Sequence, residues 1–452
     1  MRVATTTTTR RRRSGRAFRT RAGRLQSWLP LRLPPHRASS STLAGAYPFL
    51  SPPPLPVDRA LVGTDALTGE RFAFDPWDLY SAGTLTNPNV LLAGVIGQGK
   101  SALAKSLAIR SIAYGRRVYV PADPKGEWAV VAEAVGGTVV RLAPGSSTRI
   151  NPLDVASADQ VTAHGQRLRL LTALIEATLE RPLAPPEHSA LDAALRSAVG
   201  ACGDRQVTIP DLATALAGPD PAACRADGTS ATERSADGRD LLHAVRRLIR
   251  GDLAGLFDGP STVTIDHTTP MLVLDLSALD DETLAIAMTC AAGWVESAIV
   301  SPNSGPSWVI YDEAWRVLRL EPLVRRMQAQ WKLARAYGLA NLLILHRLSD
   351  LDAAGDAGSR ARSLAAGLLA DCSTRIVYRQ ESDQVGSSVA ALGLSTTERD
   401  VLTALPRGTG LWSLPGRSYV VHHLLHPDEL AVLNTDQAFR LDTADPTGGT
   451  PC

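Results

Sequence analysis

The stretch "NVLLAGVIGQGKS" at residues 89–101 decides the fold of this chain. Its second half fits the pattern G-x-x-x-x-G-K-[ST], with Gly94, Gly99, Lys100 and Ser101 in register, and the apolar run before it predicts a buried strand. The residues that follow predict a helix over about 100–114. Glycines in such a loop let backbone N–H groups curl around phosphate oxygens, and the helix N-terminus adds positive potential. The stretch therefore predicts a phosphate-binding loop.

The residue types in this loop indicate separate tasks. Lys100 would reach the β- and γ-phosphates of a nucleotide, and Ser101 would ligate Mg²⁺. The residues expected to surround the phosphates are Gly94, Val95, Ile96, Gly97, Gln98, Gly99, Lys100, Ser101 and Ala102.

A second motif, "WVIYDEAW" at 308–315, predicts an apolar strand that ends in two acids. Asp312 at the strand end would hold the Mg²⁺ shell, and Glu313 would polarise the attacking water as general base. This acidic pair separates the chain from switch-type GTPases, and no guanine-reading NKxD occurs in the sequence. ATP and Mg²⁺ are therefore the expected cofactors, and no other metal is expected. His422, His423 and His426 have no acidic or Cys neighbours on their predicted strand to complete a metal site.

Continuous apolar runs alternate with helical patterns from residue 89 onward, which predicts an α/β fold with a mostly parallel sheet covered by helices on both faces. The predicted strands are "NVLLAG" (89–94), "RRVYVPAD" (116–123), "GTVVRL" (137–142), "PMLVLDL" (270–276), "SWVIYDE" (307–313), "NLLILH" (341–346), "TRIVYR" (374–379) and a final pair, "TGLWSLP" and "SYVVHHLL".

Residues 155–254 interrupt this rhythm with helical patterns and almost no strand signal, and predict an all-α insertion. Its middle, "PDPAACRADGTSATERSADG", predicts a mobile loop because it is rich in Gly, Ser and Ala. The expected organisation is a basic Pro/Ser-rich arm at 1–57, a short β lead-in at 58–85, a RecA-like core at 86–154 and 255–436, and a flexible tail at 437–452.

Charge is distributed unevenly along the 452 residues, whose formal net charge is +2. Residues 1–57 hold 11 arginines and no acidic residue, so the remainder is net negative. This low-complexity arm is expected to be disordered. A solvated tail, contact with nucleic acid, contact with an anionic membrane surface and a transit peptide all fit its composition. Five scattered cysteines without a CxxC pair argue for a reducing compartment, and no apolar run predicts a membrane-spanning helix.

The serial order of five motifs resembles the type IV secretion ATPases, the VirB-four-type conjugation energisers within the FtsK–HerA group of RecA-like P-loop motors. These motifs are "GVIGQGKS", "VPADPKGEW", "RINPLD", "LFDGPSTVTID" and "WVIYDEAWRVL", and the C-terminal "STRIVYRQESDQV" and "LPRGTGLWSLPGRSYVVH" also resemble the family's ending. The resemblance covers about residues 60–430. It implies a homo-oligomer, a hexamer in many relatives, with ATP sites at subunit interfaces. It also implies membrane secretion-channel proteins as partners, DNA as a further partner, and a cytoplasmic location, peripheral at the inner face of the membrane.

Two features depart from the family pattern. Many members carry a larger N-terminal domain, whereas only about 30 residues separate the arm from the core here. The sensor strand in the group usually ends in Gln or a similar amide, whereas "NLLILHRLSDL" presents His346. His346 is therefore either a γ-phosphate sensor or a hydrogen-bonded strand-end residue.

Ring ATPases also need a guanidinium at the transition-state phosphate, supplied in cis or by a neighbouring subunit. Arg375, at the start of a predicted strand, and Arg335, on a predicted helix, are the two candidates.

The stretch "PADPKGEW" at 121–128 raises a question of its own, because it is either a solvated turn or part of the site. In a parallel sheet the carboxyl ends of the strands face the ligand crevice, so Asp123 is expected near Ser101 and the Mg²⁺–water shell. Glu127 is expected to face water or a subunit interface, and Lys125 to make a subunit contact or a cap.

Three functions fit these motifs. The first is an ATP-hydrolysing motor that energises substrate transfer or channel assembly in a secretion-like system. The second is a DNA translocase or coupling ATPase, which the basic arm favours and the lack of an aromatic-and-basic stripe disfavours. The third is a nucleotide-dependent assembly scaffold, which the intact acidic pair disfavours.

Overall fold

The structure is a computed structural model that describes residues 55–57, 59–155, 159–251, 253–266, 268–299, 305–347, 359–381, 384–386 and 392–433. The expected arm, apart from residues 55–57, and the expected tail at 437–452 lie outside the described residues.

Eleven strands of the described residues form a single sheet. They are β1 (Leu61–Asp65), β2 (Arg71–Ala73), β3 (Val90–Ala93), β4 (Arg117–Asp123), β5 (Thr138–Arg141), β6 (Met271–Asp275), β7 (Ser307–Tyr311), β8 (Leu339–Leu345), β9 (Thr374–Tyr378), β10 (Thr409–Leu414) and β11 (Arg417–His423). The order across the sheet is β2-β1-β11-β10-β9-β3-β8-β7-β4-β6-β5.

The sheet has a parallel part and an antiparallel part. Strands β9, β3, β8, β7, β4, β6 and β5 pair parallel to one another. Strands β10, β11, β1 and β2 extend the sheet beyond β9 with antiparallel pairing. The mostly parallel α/β fold predicted from the apolar runs is confirmed, and the two lead-in strands join the same sheet at its antiparallel end.

The helices of the described residues connect and cover these strands. They are α1 (Pro76–Ser81), α2 (Lys100–Ala113), α3 (Ala129–Ala134), α4 (Gln160–Leu179), α5 (Pro185–Cys202), α6 (Ile209–Ala217), α7 (Pro221–Ala226), α8 (Ala231–Asp237), α9 (Arg239–Arg250), α10 (Asp281–Ile299), α11 (Ala314–Leu318), α12 (Glu321–Leu333), α13 (Arg360–Ala370), α14 (Thr396–Leu402) and α15 (Pro427–Leu433). None of these helices is long and apolar enough to cross a membrane, among the residues that the structure describes.

Side chains that alternate along the strands build two cores, one on each face of the sheet. On one face, Leu92 and Ile310 pack with Leu103 and Leu107 of α2. On the other face, Leu91 and Val309 share a core with residues of α4, α5, α10 and α12. Both faces are covered, which explains why the central strands read as continuous apolar runs.

The chain between β5 and β6 contains helices α4–α9 and, among its described residues, no strand. The mobile loop expected within 219–238 is wrong, because two short helices occupy it. Asp220 caps α7 by accepting from Ala222 N–H and Ala223 N–H, and Ser230 opens α8 in a capping box with Glu233. The capping groups satisfy the first N–H groups, and the alanines within both helices favour the helical conformation, whereas the glycines of the stretch lie outside them.

Candidate active site

The phosphate loop connects the buried strand β3 to helix α2 and depends on its glycines. Gly94, Gly97 and Gly99 have φ values of 153°, 80° and 103°, a region that side chains with a Cβ rarely adopt. A Cβ on Gly94 would also lie 2.5 Å from Cβ of Tyr378. The strand–loop–helix context predicted from the sequence is therefore present, and Gly94 lets the loop pass close to Tyr378.

Lys100 begins α2 and is buried, and its Nζ donates a hydrogen bond to the carbonyl oxygen of Val95 at 2.9 Å. Ser101 and Ala102 follow in the first turn and are half-buried, whereas Ile96 at the loop tip is 72% exposed. The Lys100 ammonium group thus contacts the backbone of the phosphate loop itself.

Two contacts that the sequence did not predict hold the loop against the neighbouring strands. Val95 N–H donates to the carbonyl oxygen of Arg379, which follows β9, at 3.1 Å. Gly408 N–H, just before β10, donates to the carbonyl oxygen of Gln98 at 3.0 Å. The segments that follow β9 and precede β10 therefore support the phosphate loop directly.

Asp312 follows β7 and is buried. Its Oδ1 accepts from Glu313 N–H at 2.9 Å, and its Oδ2 accepts from the indole N–H of Trp128 at 2.9 Å. Burial raises the pKa of Asp312, and the indole hydrogen bond opposes that rise. The contact of Trp128 with this candidate site was not predicted from the sequence, because Trp128 lies 184 positions from the carboxylate that it contacts.

Glu313 is a non-glycine residue in the left-handed region, with φ 50°, at the start of α11. Such backbone strain concentrates at functional sites. Oε1 lies 2.5 Å from Lys125 Nζ and 2.7 Å from His346 Nε2, and Oε2 accepts from the indole N–H of Trp315 at 2.6 Å. Burial opposes ionisation, but the donors His346, Lys125 and Trp315 outweigh it and lower the pKa of Glu313 to about 2. Glu313 is therefore an ionised carboxylate whose two oxygens are both engaged.

His346 follows the last residue of β8 and reaches Glu313 rather than solvent. Because an ionised carboxylate only accepts hydrogen bonds, Nε2 of the imidazole carries the proton. Nδ1 is buried and has no hydrogen-bond partner among the described residues. A strand-end histidine bonded to the acidic pair fits both expectations for His346, and its role as a sensor remains a prediction.

"PADPKGEW" is not a solvated turn. Asp123 is 1% exposed and accepts hydrogen bonds from the backbone N–H groups of Lys125, Glu127 and Trp128 at 3.3, 3.3 and 2.8 Å. Burial raises the pKa of Asp123 to about 6 against these hydrogen bonds, and the carboxylates of Asp275 and Asp312 add to the rise. Asp123 therefore orders the turn that carries Lys125 and Trp128 to the acidic pair.

The other two charged residues of this turn have partners that the sequence did not predict. Glu127, expected to face water or an interface, pairs with the buried Lys105 of α2 at 2.9 Å. Lys125 pairs with Glu313 within the chain, and the subunit contact or cap expected of it stays a prediction. Both ion pairs tie the turn after β4 to other elements around the site.

Neither candidate arginine contacts Glu313 or Asp312 within this chain. Arg335 lies exposed in the turn between α12 and β8, so its predicted place on a helix is wrong, and it is at the amino end of β8, opposite the edge that carries Glu313. Arg375 shares a strand face with Val377, away from α2, and donates to the carbonyl oxygen of Leu392 at 2.7 Å. A role for either one in a neighbouring subunit stays a prediction.

The residues present fit a magnesium nucleotide. The open loop with its left-handed glycines suits phosphate oxygens, and the Ser101 hydroxyl and the Asp312 carboxylate are the oxygen ligands that Mg²⁺ prefers.

Comparisons with known proteins agree on the fold. No family model matches the chain, and no curated protein matches it by sequence. Among solved structures, VirB4 of Thermoanaerobacter pseudethanolicus aligns with a TM-score of 0.67 at 20% identity, over 84% of this chain and all of that one. The fold of this chain is therefore the VirB4 fold.

The plasmid coupling protein TrwB has the same fold at greater distance. Its complex with an ATP analogue has a TM-score of 0.53 at 15% identity, and its complex with ADP and Mg²⁺ has a TM-score of 0.52 at 16% identity. Each alignment covers 82% of this chain and 91% of TrwB. The resemblance that the motifs predicted is thus confirmed at the level of fold.

Proposed function

We propose that this chain is an ATP-hydrolysing motor that energises substrate transfer or channel assembly in a conjugative, type IV secretion-like system. One observation carries the proposal. The acidic pair Asp312–Glu313 ends a strand of the same parallel sheet that carries the phosphate loop, and its carboxylates are held by Trp128, Lys125 and His346.

The side chains of the site divide the work of hydrolysis. The loop backbone and Lys100 would bind the phosphates, and Ser101 with Asp312 would hold Mg²⁺, which neutralises charge on the phosphate oxygens when it is bound. Glu313 would accept hydrogen bonds from the attacking water and orient it. His346 keeps Glu313 ionised and fixes its orientation through the 2.7 Å contact.

ATP is the proposed nucleotide. Structures of the coupling protein TrwB do not by themselves decide between ATP and GTP. TrwB has been solved with an ATP analogue, with ADP and Mg²⁺, and also with a GTP analogue. In this chain, the absence of an NKxD motif from the sequence supports ATP. Competition between ATP and GTP for the purified chain measures the preference.

The proposed oligomeric state, partners and cellular location are those expected from the family resemblance. An oligomer with sites at subunit interfaces, channel proteins of a membrane as partners, and a cytoplasmic position at the inner membrane face all belong to this proposal. An oligomer would also explain why neither Arg335 nor Arg375 reaches Glu313 within one chain.

The decisive experiment is phosphate release by the purified full chain. Lys100→Ala and Glu313→Gln should each lower turnover at least about 100-fold, because one removes a phosphate ligand and the other the general base. Lys332→Ala, which removes an exposed lysine of α12, is the matched control and should keep wild-type turnover. Unchanged turnover in Glu313→Gln overturns the assignment of the base, and nucleotide binding without phosphate release in the wild type supports an assembly scaffold.

A further inference from the structure

The side chain of Trp315 connects Glu313 to two arginines that the proposed hydrolysis does not use. Its indole N–H donates to Oε2 of Glu313 at 2.6 Å. The guanidinium carbons of Arg316 and Arg319 lie 4.7 and 4.6 Å from the centroid of the Trp315 ring. Both distances are within the range of about 6 Å in which an aromatic face attracts a cation. Trp315 therefore contacts a buried carboxylate through its N–H and two cations through its ring.

The two oxygens of Glu313 are not equally occupied. Oε1 lies 2.5 Å from Lys125 Nζ and 2.7 Å from His346 Nε2, so it has two donors. Oε2 accepts from Trp315 alone among the described residues. Because a carboxylate oxygen has two lone pairs, Oε2 is the oxygen that keeps one for a water. The bond from Trp315 therefore sets the direction in which that remaining lone pair points.

The short helix α11 does not by itself fix the indole. It has five residues, Ala314–Leu318, and follows Glu313, whose φ of 50° is in the left-handed region. A helix of this length depends on tertiary contacts, because its own hydrogen bonds do not offset the cost of nucleation. Trp315 is half-buried, so the core restrains only part of its ring. The two guanidinium groups at the ring supply a further restraint.

Arg316 is itself held by a separate helix. Its Nη1 donates to Oδ1 of Asp281, in the first turn of α10, at 2.5 Å. Its Nε is buried and has no hydrogen-bond partner among the described residues. A buried N–H without a partner is costly, and a solvated arginine would avoid that cost by turning to water. The contact with the Trp315 ring offers a compensation for this position.

Arg319 differs from Arg316 because it is exposed. It directly follows the last residue of α11, and its side chain has neither a hydrogen bond nor an ion pair with another residue that the structure describes. The Trp315 ring therefore has no competitor for this guanidinium in the described part of the chain. Since Arg319 has no structural partner to lose, its replacement isolates the contact with the ring.

The two cations also strengthen the hydrogen bond from the indole. A cation at an aromatic face interacts with the negative charge of the π system, and groups in a connected polar network polarise one another. The indole N–H thus becomes a stronger donor toward an ionised carboxylate. Both the orientation and the strength of the contact with Oε2 therefore depend on the guanidinium groups.

We propose that Arg316 and Arg319 are positioning residues that act through Trp315. They hold the indole so that its N–H fixes Oε2 of Glu313 and leaves the second lone pair of that oxygen to the attacking water. This role rests on the proposed function, in which Glu313 is the general base. Neither arginine touches the nucleotide in this role, so their loss should lower kcat and leave KM nearly unchanged.

The test compares the full-length wild type with Arg316→Gln, Arg319→Gln and Trp315→Phe, and with each arginine change combined with Trp315→Phe. Phenylalanine keeps an aromatic ring for the guanidinium groups and removes the N–H donor. Arg399→Gln is the matched control, since Arg399 is exposed in α14. Phosphate release at saturating Mg²⁺ gives kcat and KM, and urea unfolding checks the fold of each variant.

Trp315→Phe should lower kcat about 10- to 100-fold, and Arg319→Gln should lower it about 2- to 5-fold, both with KM within about two-fold of wild type. Arg399→Gln should match the wild type. In the Trp315→Phe background neither arginine change should lower kcat further, because the N–H through which they act is gone. Arg319→Gln with the same loss in both backgrounds, or with no loss in either, overturns the proposal.

A measurement without ATP separates this contact from the proposed motor. The indole N–H resonance of Trp315, assigned by its absence in Trp315→Phe, should move upfield in Glu313→Gln and in Arg319→Gln, because the hydrogen bond weakens in both. It should not move in Arg399→Gln. An unmoved resonance in Arg319→Gln overturns the proposal even where the wild type hydrolyses ATP. The expected shifts in a wild type that releases no phosphate would instead overturn the proposed motor, and with it the catalytic purpose of the contact.

Discussion

Lys125 Nζ lies 2.5 Å from Oε1 of Glu313, although the two residues stand at the ends of different strands, β4 and β7. The same oxygen lies 2.7 Å from His346 Nε2. Lys125 is half-exposed and Glu313 is buried, so a flexible cation from the surface covers one side of a buried carboxylate. The protonation of Glu313 thus depends on residues that arrive from three strands.

Replacing Lys125 should change the pH dependence of turnover. Hydrogen bonds from His346, Lys125 and Trp315 overcome burial to lower the pKa of Glu313 to about 2, so Lys125→Gln should raise that pKa. A base with a higher pKa loses its charge at a higher pH, so the acid limb of kcat/KM should move toward neutral pH. Lys332→Gln is the control and should leave the profile unchanged. An acid limb in the same place for wild type and Lys125→Gln would contradict the assigned role of the ion pair.

Turnover should depend on a hydrogen bond from residue 346 to Glu313 more than on whether that residue is histidine. His346→Gln retains an N–H donor toward Glu313 at every pH, whereas His346→Ala removes the donor. We expect turnover of the Gln variant to stay within a few-fold of wild type and that of the Ala variant to fall about 10- to 100-fold. Steady-state phosphate release measures both. Equal activity of the two variants would show that the contact with Glu313 does not assist turnover.

Trp128→Phe should raise the Mg²⁺ concentration that turnover requires. The change removes the indole N–H that contacts Asp312 Oδ2 at 2.9 Å and keeps the buried ring. Trp308→Phe is a matched control, because Trp308 is equally buried but donates to Ser111 Oγ at 3.0 Å. Each change should cost about 1–2 kcal/mol of unfolding free energy.

Only Trp128→Phe should raise the Mg²⁺ concentration for half-maximal turnover, by about 10-fold for a loss of about 1.4 kcal/mol. Titration of Mg²⁺ at saturating ATP measures the difference. The same Mg²⁺ requirement in both variants would contradict the prediction that Trp128 assists Mg²⁺ binding through Asp312.

Asp123→Asn should alter the pH dependence of stability. Burial raises the pKa of Asp123 from 3.8 to about 6 in the folded chain. As pH rises, the unfolded carboxyl loses its proton first, so this group lowers stability between about pH 4 and pH 6, by about 3 kcal/mol in total. Asparagine keeps an acceptor oxygen for the turn and has no such titration.

Urea unfolding at pH 4, 5, 6 and 7, without nucleotide or Mg²⁺, should show Asp123→Asn gaining stability relative to wild type as pH rises. Asp204→Asn, at an exposed position, is the control and should show no such gain. A constant difference between Asp123→Asn and wild type across these pH values would contradict the burial of an ionisable carboxyl here.

The features predictable from sequence were those written in short, contiguous patterns. The glycine spacing of the phosphate loop, the apolar strands and the acids at the end of β7 all follow from local rules. Strand alternation also distinguishes the two faces of β9, so the placement of Arg375 beside Val377, away from α2, follows from the same rule. Arg335 was misplaced because helix α12 ends at Leu333, two residues before it.

The partners within the site were not predictable in this way. Trp128 and Asp312, or Lys125 and Glu313, meet only because β4 and β7 are neighbours in the sheet, and no local spacing encodes that adjacency. Charge alternation in "PADPKGEW" left both a solvated turn and a part of the site open, and which acid each cation would pair with depends on tertiary packing. The Gly and Ser content of 219–238 also misled, because the glycines lie outside two short helices that are rich in Ala and have side-chain caps.

The hydrogen bonds from Val95 N–H to Arg379 and from Gly408 N–H to Gln98 bear on the speed of nucleotide capture. Fixing the backbone of one residue costs about 1–2 kcal/mol of conformational entropy. Because these hydrogen bonds order the loop in the unliganded chain, nucleotide binding should not have to include that cost. Association should therefore be single-phase and limited by encounter rather than by a rearrangement of the loop. Loosening the strand ends after β9 and before β10 would make capture slower while every phosphate-contacting residue remained in place.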